Sequence, residues 1–155
     1  MFALSISEGV ARLDMNRPES RNAIPRSGWA ALAAAVDEAA ASPARILFGL
    51  HSFTPRLATR PEEARPWQVG ILYNQDMRAA RIAIDLLRQA GIATGDNQPY
   101  SGQDLNATMD LHAETRGLPY LVVEVRQDLI GDPAGVGLWA DRLTPILRMT
   151  ARALA

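Results

Sequence analysis

Residues 118–125, LPYLVVEV, form the stretch that most clearly indicates a buried strand. The run is bounded by Gly117, is rich in β-branched residues and is too short for an ordinary globular helix. RILFGL at 45–50 and WQVGILY at 67–73 have the same character, and the weaker alternation at 11–16 predicts a half-buried strand. The chain therefore contains several short strands distributed along its length.

Helical patterns alternate with these strands. We predict helices at 28–41 after Ser27 as N-cap, at 75–90 between the cap Asn74 and Gly91, around 104–116, and at 135–155 with an interruption near Pro145. The first helix should bury an apolar face of Trp29, Leu32, Ala33 and Val36. The turn-forming residues at 55–66 and 94–102 predict loops. Together these features predict an α/β fold, a mixed or largely parallel sheet with helices on both faces.

The composition of the chain argues against several classes of function. The 155 residues, 48% hydrophobic and 21% charged, suit one compact unit, and 16 basic against 17 acidic residues argue against nucleic acid as a partner. The apolar runs fall well below the roughly 18 residues that span a bilayer, so we expect no membrane association. The N-terminal residues lack a secretory pattern, which predicts a cytoplasmic location.

Two residue types are missing. The chain has no cysteine, which excludes disulfides and thiolate chemistry, and all 16 of its basic residues are arginine. Without lysine, neither a Schiff base nor a P-loop can form. Carboxylates, histidines, hydroxyls, arginines and a bound metal remain as catalytic groups.

Two residues at predicted strand ends are candidates for chemistry. His51 follows RILFGL and precedes Ser-Phe-Thr-Pro, so it would serve either as a zinc ligand or as a histidine satisfied by a backbone carbonyl. Glu124 lies inside an apolar strand, where a carboxylate needs a function or a partner. Arg126 has the same side-chain parity and is the alternative ion-pair partner. Ligands of α/β folds bind beyond the carboxyl ends of strands, which places His51 and the segment after Glu124 at one rim of the sheet.

The loops offer weaker candidates. Arg56, Arg60 and Arg65 would bind substrate carboxylates, or else belong to an ordinary solvated loop. Asn97 and Tyr100 present an amide and a phenol in a segment that is also explained as a turn. His112 is better explained by packing than by metal ligation.

Four separated blocks, GLHSFTPRL, RPWQVGILYNQDMR, GDNQPYSG and HAETRGLPYLVVEVRQDLI, closely resemble the C-terminal part of the N-formylglutamate amidohydrolase family. The resemblance covers residues 44–155. It implies a zinc-carboxypeptidase-like (phosphorylase/hydrolase-like) partial fold and zinc-dependent hydrolysis of an N-formyl or N-acyl amino acid. It further implies His51 as a zinc ligand, Glu124 as general base with Arg126 in support, and arginines that hold the substrate carboxylates.

The resemblance also implies two further zinc ligands, a histidine and a glutamate, in the N-terminal half of the family. No histidine precedes residue 51 in this chain, so a catalytically inactive α/β domain is the alternative function. Residues 1–43 resemble instead the N-terminus of the enoyl-CoA hydratase (crotonase) family, which predicts a chimeric or truncated chain. In a second interpretation, ARLDMNRP is the amidohydrolase family's own strand, followed by an internal deletion.

The crotonase resemblance implies an acyl-CoA-binding remnant that would use Arg17, Arg21, Asn22 and Ala23. An incomplete sheet also leaves strand edges and apolar faces uncovered, which predicts self-association into a homo-oligomer.

Overall fold

The computed structural model describes residues 2–7, 10–15, 24–41 and 46–154. The chain divides into two compact units, Met1–Ala44 and Arg45–Ala155. Among the described residues, no helix combines the length and the apolarity that a membrane crossing requires.

The first unit contains a hairpin and a helix. Strands β1 (Phe2–Ser7) and β2 (Val10–Met15) pair antiparallel, with Phe2 opposite Met15. Helix α1 (Gly28–Ala41) has the predicted bounds, but Trp29 on its predicted apolar face is 58% exposed. The predicted acyl-CoA-binding residues, Arg17, Arg21, Asn22 and Ala23, lie outside the described residues.

The second unit is built around a four-stranded mixed sheet. Its strands are β3 (Leu47–Phe53), β4 (Val69–Leu72), β5 (Thr94–Asp96) and β6 (Tyr120–Arg126), in the order β3-β6-β4-β5. The pairs β3–β6 and β4–β5 are parallel, whereas β4 and β6 run antiparallel. The prediction of a mixed α/β fold is confirmed.

Helices cover both faces of this sheet. On one face, α2 (Arg78–Gln89) and α4 (Pro133–Ala153) pack over alternate residues of β4 and β6, among them Ile71 and Val123. On the other face, α3 (Ala107–His112) packs over Leu72, Tyr120 and Val122. Because side chains alternate along a strand, Glu124 lies on the α3 face together with Tyr120 and Val122.

Three local predictions were wrong: the loop at 94–96, the N-cap of α2 and the interruption of α4 at Pro145. Residues 94–96 were expected in a loop but form β5, since the backbone of Gly95 pairs with Gly70 of β4. Helix α2 begins after Met77, without a side-chain cap, because the backbone and amide of Asn74 bond to Tyr120 and Asp110 instead.

Helix α4 continues through Pro145 rather than breaking there. Leu143 and Ile146, on either side of the proline, are both buried in the core, and this packing compensates for the hydrogen bond that proline cannot donate. The predicted helix around 104–116 forms as α3 followed by a separate 3₁₀ turn, Glu114–Arg116.

Candidate active site

The sheet brings the two strongest candidates of the sequence together. His51 of β3 and Glu124 of β6 are directly opposite each other in the parallel register, so their side chains lie on the same face. His51 is exposed, whereas Glu124 is only 8% exposed. The pair therefore places an accessible imidazole beside a nearly buried carboxylate.

Glycines next to Glu124 in the sheet leave room for the loop that follows β5. Gly70 is its neighbour on β4 and Gly95 is the next residue across, on β5. A Cβ at either glycine would collide with the carbonyl oxygen of Gln98, so the 97–102 loop lies directly against this face. Only glycine permits the close approach of that loop to the sheet.

The Glu124 carboxylate lacks the partners that such burial usually provides. Its Oε2 is buried and has no hydrogen-bond partner among the described residues. Burial raises the pKa of Glu124, and the nearby His51 opposes the rise. A buried carboxyl group with a raised pKa beside an accessible imidazole is a candidate proton acceptor.

Asn97 holds the loop in place. Its backbone has a φ of 50°, a left-handed conformation that asparagine tolerates. Its Oδ1 accepts hydrogen bonds from the N–H of Tyr73 at 2.9 Å and of Gly102 at 3.1 Å. Asn97 was a candidate substrate-binding residue, and the oxygen of its side-chain amide is bonded to the backbone.

Arg65 and Tyr100 form a second polar cluster in the same unit. The Nη1 of Arg65 donates to Tyr100 Oη at 3.1 Å and to the carbonyl oxygen of Thr54 at 3.2 Å. The guanidinium lies 5.0 Å from the centre of the Tyr100 ring, within cation–π range. Arg65 is 6% exposed, so this part of the 55–66 segment is not a solvated loop.

The other three predicted arginines have different surroundings, and exposed Arg60 pairs with Glu63 at 3.6 Å. Arg126 forms an ion pair with Asp128 at 2.7 Å and donates a hydrogen bond to the carbonyl oxygen of Trp67. The ion pair of Arg126 with Glu124, the alternative that the sequence offered, therefore does not form. Arg56 is exposed, and its hydrogen bond to the carbonyl oxygen of Pro61 is long, at 3.5 Å.

A hydrogen-bonded network around Tyr120 was missed by the sequence analysis. Its hydroxyl donates to Glu114 Oε1 at 2.6 Å and accepts from the Asn74 backbone and from Asn106 Nδ2. Burial and the Glu114 carboxylate raise the pKa of Tyr120 far above its ordinary value. The network fixes the start of the segment between β4 and α2, and no local motif indicated it because its members are distant in sequence.

The described residues do not by themselves complete a zinc site. Nowhere in the described ranges do three His, Asp or Glu side chains converge as a metal-binding group. His51 and Glu124 supply one imidazole and one carboxylate, whereas catalytic zinc normally takes three protein ligands. His112, the other histidine, is buried on α3.

Comparison with known proteins identifies the family. The family model described as N-formylglutamate amidohydrolase matches residues 29–131. The chain belongs to this family. The match includes most of α1, and the crotonase resemblance and the chimeric join receive no support from the comparisons. No curated protein matches the chain.

Two solved structures share the fold. A gene product from Agrobacterium tumefaciens is 25% identical with a TM-score of 0.72, and the alignment covers 83% of this chain and 50% of that one. The N-formylglutamate amidohydrolase from Ralstonia eutropha is 19% identical with a TM-score of 0.56, over 83% of this chain and 49% of that one. The chain thus spans about half the length of these structures.

Proposed function

We propose that this chain contributes Glu124 to the active site of an amidohydrolase. The enzyme would hydrolyse the amide bond of an N-formyl or N-acyl amino acid, as N-formylglutamate amidohydrolases do. The observation that carries the proposal is the pairing of buried Glu124 with accessible His51 at one sheet face, in a chain of this family.

In this proposal Glu124 is the general base. A carboxylate whose pKa is raised by burial is more basic than an exposed one, so it accepts a proton from an attacking water more readily. The proton then passes to the leaving amine, and formate, or the corresponding acid, and the free amino acid are released. Arg126 acts at most indirectly, because its guanidinium is paired with Asp128.

The substrate would be held by the groups around the 97–102 loop. Arg65 and Tyr100 present donors there, Asn97 acts by holding the loop, and exposed Arg56 is a weaker candidate. The zinc dependence and the zinc-carboxypeptidase-like fold also remain proposals. A zinc ion would polarise the substrate carbonyl, and His51 would be one of its ligands. The other ligands would have to come from outside the described residues, including a second copy of the chain.

Formate release from N-formylglutamate tests the proposal. Glu124→Gln should lower kcat by about 10²-fold or more, the usual contribution of a general base, whereas Glu62→Gln, in an exposed loop, should leave it unchanged. Zinc content of the purified protein, compared with His51→Ala, tests the metal separately. One zinc per chain that is lost in the variant would assign His51 as a ligand; equal zinc in both proteins would remove that assignment.

The alternative function is a non-catalytic α/β domain. Among the described residues His51 and Glu124 are the only site groups that could bind a metal together, which supports it, and it predicts no hydrolysis by the wild-type chain even with added zinc. Any hydrolysis that depends on Glu124 would exclude this alternative. The acyl-CoA-binding remnant has no comparable observation in its favour.

A further inference from the structure

Strand β3 is an edge of the four-stranded sheet, and its outer side pairs with no strand among the described residues. Its sequence, LFGLHSF at 47–53, contains no proline, arginine, aspartate or glutamate. Natural edge strands are usually blocked by a proline, a charge, a bulge or a short length, because an open edge is a template for further pairing. The opposite edge strand, β5, is protected in this way, since it has only three residues and ends in Asp96.

The outer side of β3 presents a regular ladder of backbone donors and acceptors. Leu47 donates its N–H to the carbonyl oxygen of Pro119, which lies on the β6 side. Backbone groups of successive residues in a strand point alternately to the two sides. The N–H and C=O groups of Phe48, Leu50 and Ser52 therefore point away from β6, and this free ladder is centred on Leu50.

Large apolar side chains accompany the free edge. Phe48 and Leu50 lie opposite Leu121 and Val123 of β6, on the sheet face that α2 and α4 cover. The two β6 residues are buried there, whereas Phe48 is 39% and Leu50 is 66% exposed, so the helical cover stops short of β3. An open edge together with exposed apolar side chains indicates a surface for protein association.

The edge is complementary to itself. When two β3 strands pair antiparallel about a two-fold axis at Leu50, each Leu50 lies opposite its counterpart and Phe48 lies opposite Ser52 of the partner subunit. Each of these pairs exchanges two hydrogen bonds, as in a continuous antiparallel sheet. Because the strand has no acidic residue and no arginine, the pairing brings no such like charges together across the axis.

We propose that two copies of the chain form a dimer through antiparallel pairing of their β3 strands, centred on Leu50. In this register the two His51 side chains occupy diagonal positions, roughly 7–8 Å apart, on the sheet face that carries Glu124. The dimer thus brings a second imidazole to the face of the candidate active site. The inference goes beyond the proposed function and does not require hydrolysis.

Sedimentation velocity of the full chain over a concentration series tests the dimer, which has twice the mass of the 16.8 kDa chain. A contact between two seven-residue strands is small for a protein interface, so we expect a reversible dimer with a dissociation constant in the micromolar range. Leu50→Lys places two ammonium groups against each other at the axis and should raise that constant at least about tenfold. The control Leu111→Lys makes the same change at a similarly exposed leucine of α3 and should dimerise as wild type does.

Disulfide cross-linking tests the register and does not depend on the lysine variants. The chain has no cysteine, so a single introduced thiol reports on its own position. Leu50→Cys should form an intermolecular disulfide on mild oxidation, because Cα atoms of a hydrogen-bonded antiparallel pair lie about 5.5 Å apart, within the range of a disulfide. Leu111→Cys is the matched control and should not cross-link. Thermal melting of each variant checks that it is folded.

Several results would overturn the inference. A wild-type chain that stays monomeric up to about 1 mM would leave the β3 edge to a strand of a different chain. A folded Leu50→Lys protein that dimerises as tightly as wild type would assign the dimer to another surface, and equal cross-linking of Leu50→Cys and Leu111→Cys would reject the register.

This inference and the proposed function fail in different ways. A dimer through β3 that does not hydrolyse N-formylglutamate would retain the pairing and reject the reaction. Hydrolysis that depends on Glu124, catalysed by a wild-type chain that stays monomeric, would retain the reaction and reject the pairing.

Discussion

Replacing Glu124 with glutamine should stabilise the folded protein at neutral pH, even though it is expected to lower kcat for hydrolysis by about 10²-fold or more. Glu124 is 8% exposed, and its Oε2 has no hydrogen-bond partner among the described residues. Burial raises its pKa, which means that the folded protein favours the protonated carboxyl group. His51 offsets only part of this effect.

The pH dependence follows from the direction of that pKa shift. Between the ordinary value of 4.5 and the raised folded value, the folded state binds more protons than the unfolded state. The contribution of Glu124 to the free energy of unfolding is therefore highest below pH 4.5, and it falls as the pH rises through the pKa of the folded state. Glutamine does not titrate, so the variant should lack this component.

The magnitude comes from the unsatisfied carboxylate oxygen. An unpaired buried polar group costs about 1–3 kcal/mol, and because the glutamine amide is also polar we expect a gain near the lower end, about 1 kcal/mol. For a unit of this size, such a gain raises the Tm by about 4 °C.

Urea unfolding of wild type and Glu124→Gln at pH 4 and pH 7 measures both effects. The variant should be more stable at pH 7 and no more stable at pH 4. The control Glu62→Gln changes an exposed carboxylate and should alter neither value. A Glu124→Gln protein that is less stable than wild type at pH 7, or that keeps the same pH dependence, would refute the reasoning.

Two further predictions concern the scaffold and use urea unfolding as the assay. Gly70→Ala should destabilise the protein by about 1–3 kcal/mol, because its Cβ would collide with the 97–102 loop. Gly137→Ala, in α4, should instead gain about 0.5–1 kcal/mol of stability, because nothing lies within 4 Å of the added Cβ. Similar losses of stability in both variants would contradict this packing. Tyr120→Phe should lose about 1–3 kcal/mol, since it leaves Glu114 Oε1 without its 2.6 Å hydrogen bond. Wild-type stability in this variant would show that the network contributes little.

Features that depend on local chemistry were predictable from the sequence. Gly91 and Gly117 were predicted as helix ends, and both adopt positive φ values, 73° and 65°, that favour glycine. The strands of LPYLVVEV and RILFGL form because short apolar runs have few alternatives to an internal sheet position. Their parallel pairing then aligns His51 with Glu124.

Features that depend on distant partners were not predictable. Strand β5 is a three-residue segment of turn-forming composition, and only its pairing with β4 makes it a strand. Arg126 is two residues from both Glu124 and Asp128, and only the folded structure shows that it pairs with Asp128, at 2.7 Å. The burial of Arg65 depends on Tyr100, which lies 35 positions later in the chain.

Glu124 and Arg65 have opposite charges, and each has a buried polar atom without a hydrogen bond among the described residues. Each residue is more than nine-tenths buried. The two do not neutralise each other, since neither forms an ion pair with the other in the described structure. A fold selected for stability alone would favour apolar residues at both positions, because replacing buried charges in that way is often neutral or stabilising. Two such charges in one small unit fit the proposed function, because functional sites often keep residues that lower the stability of the fold.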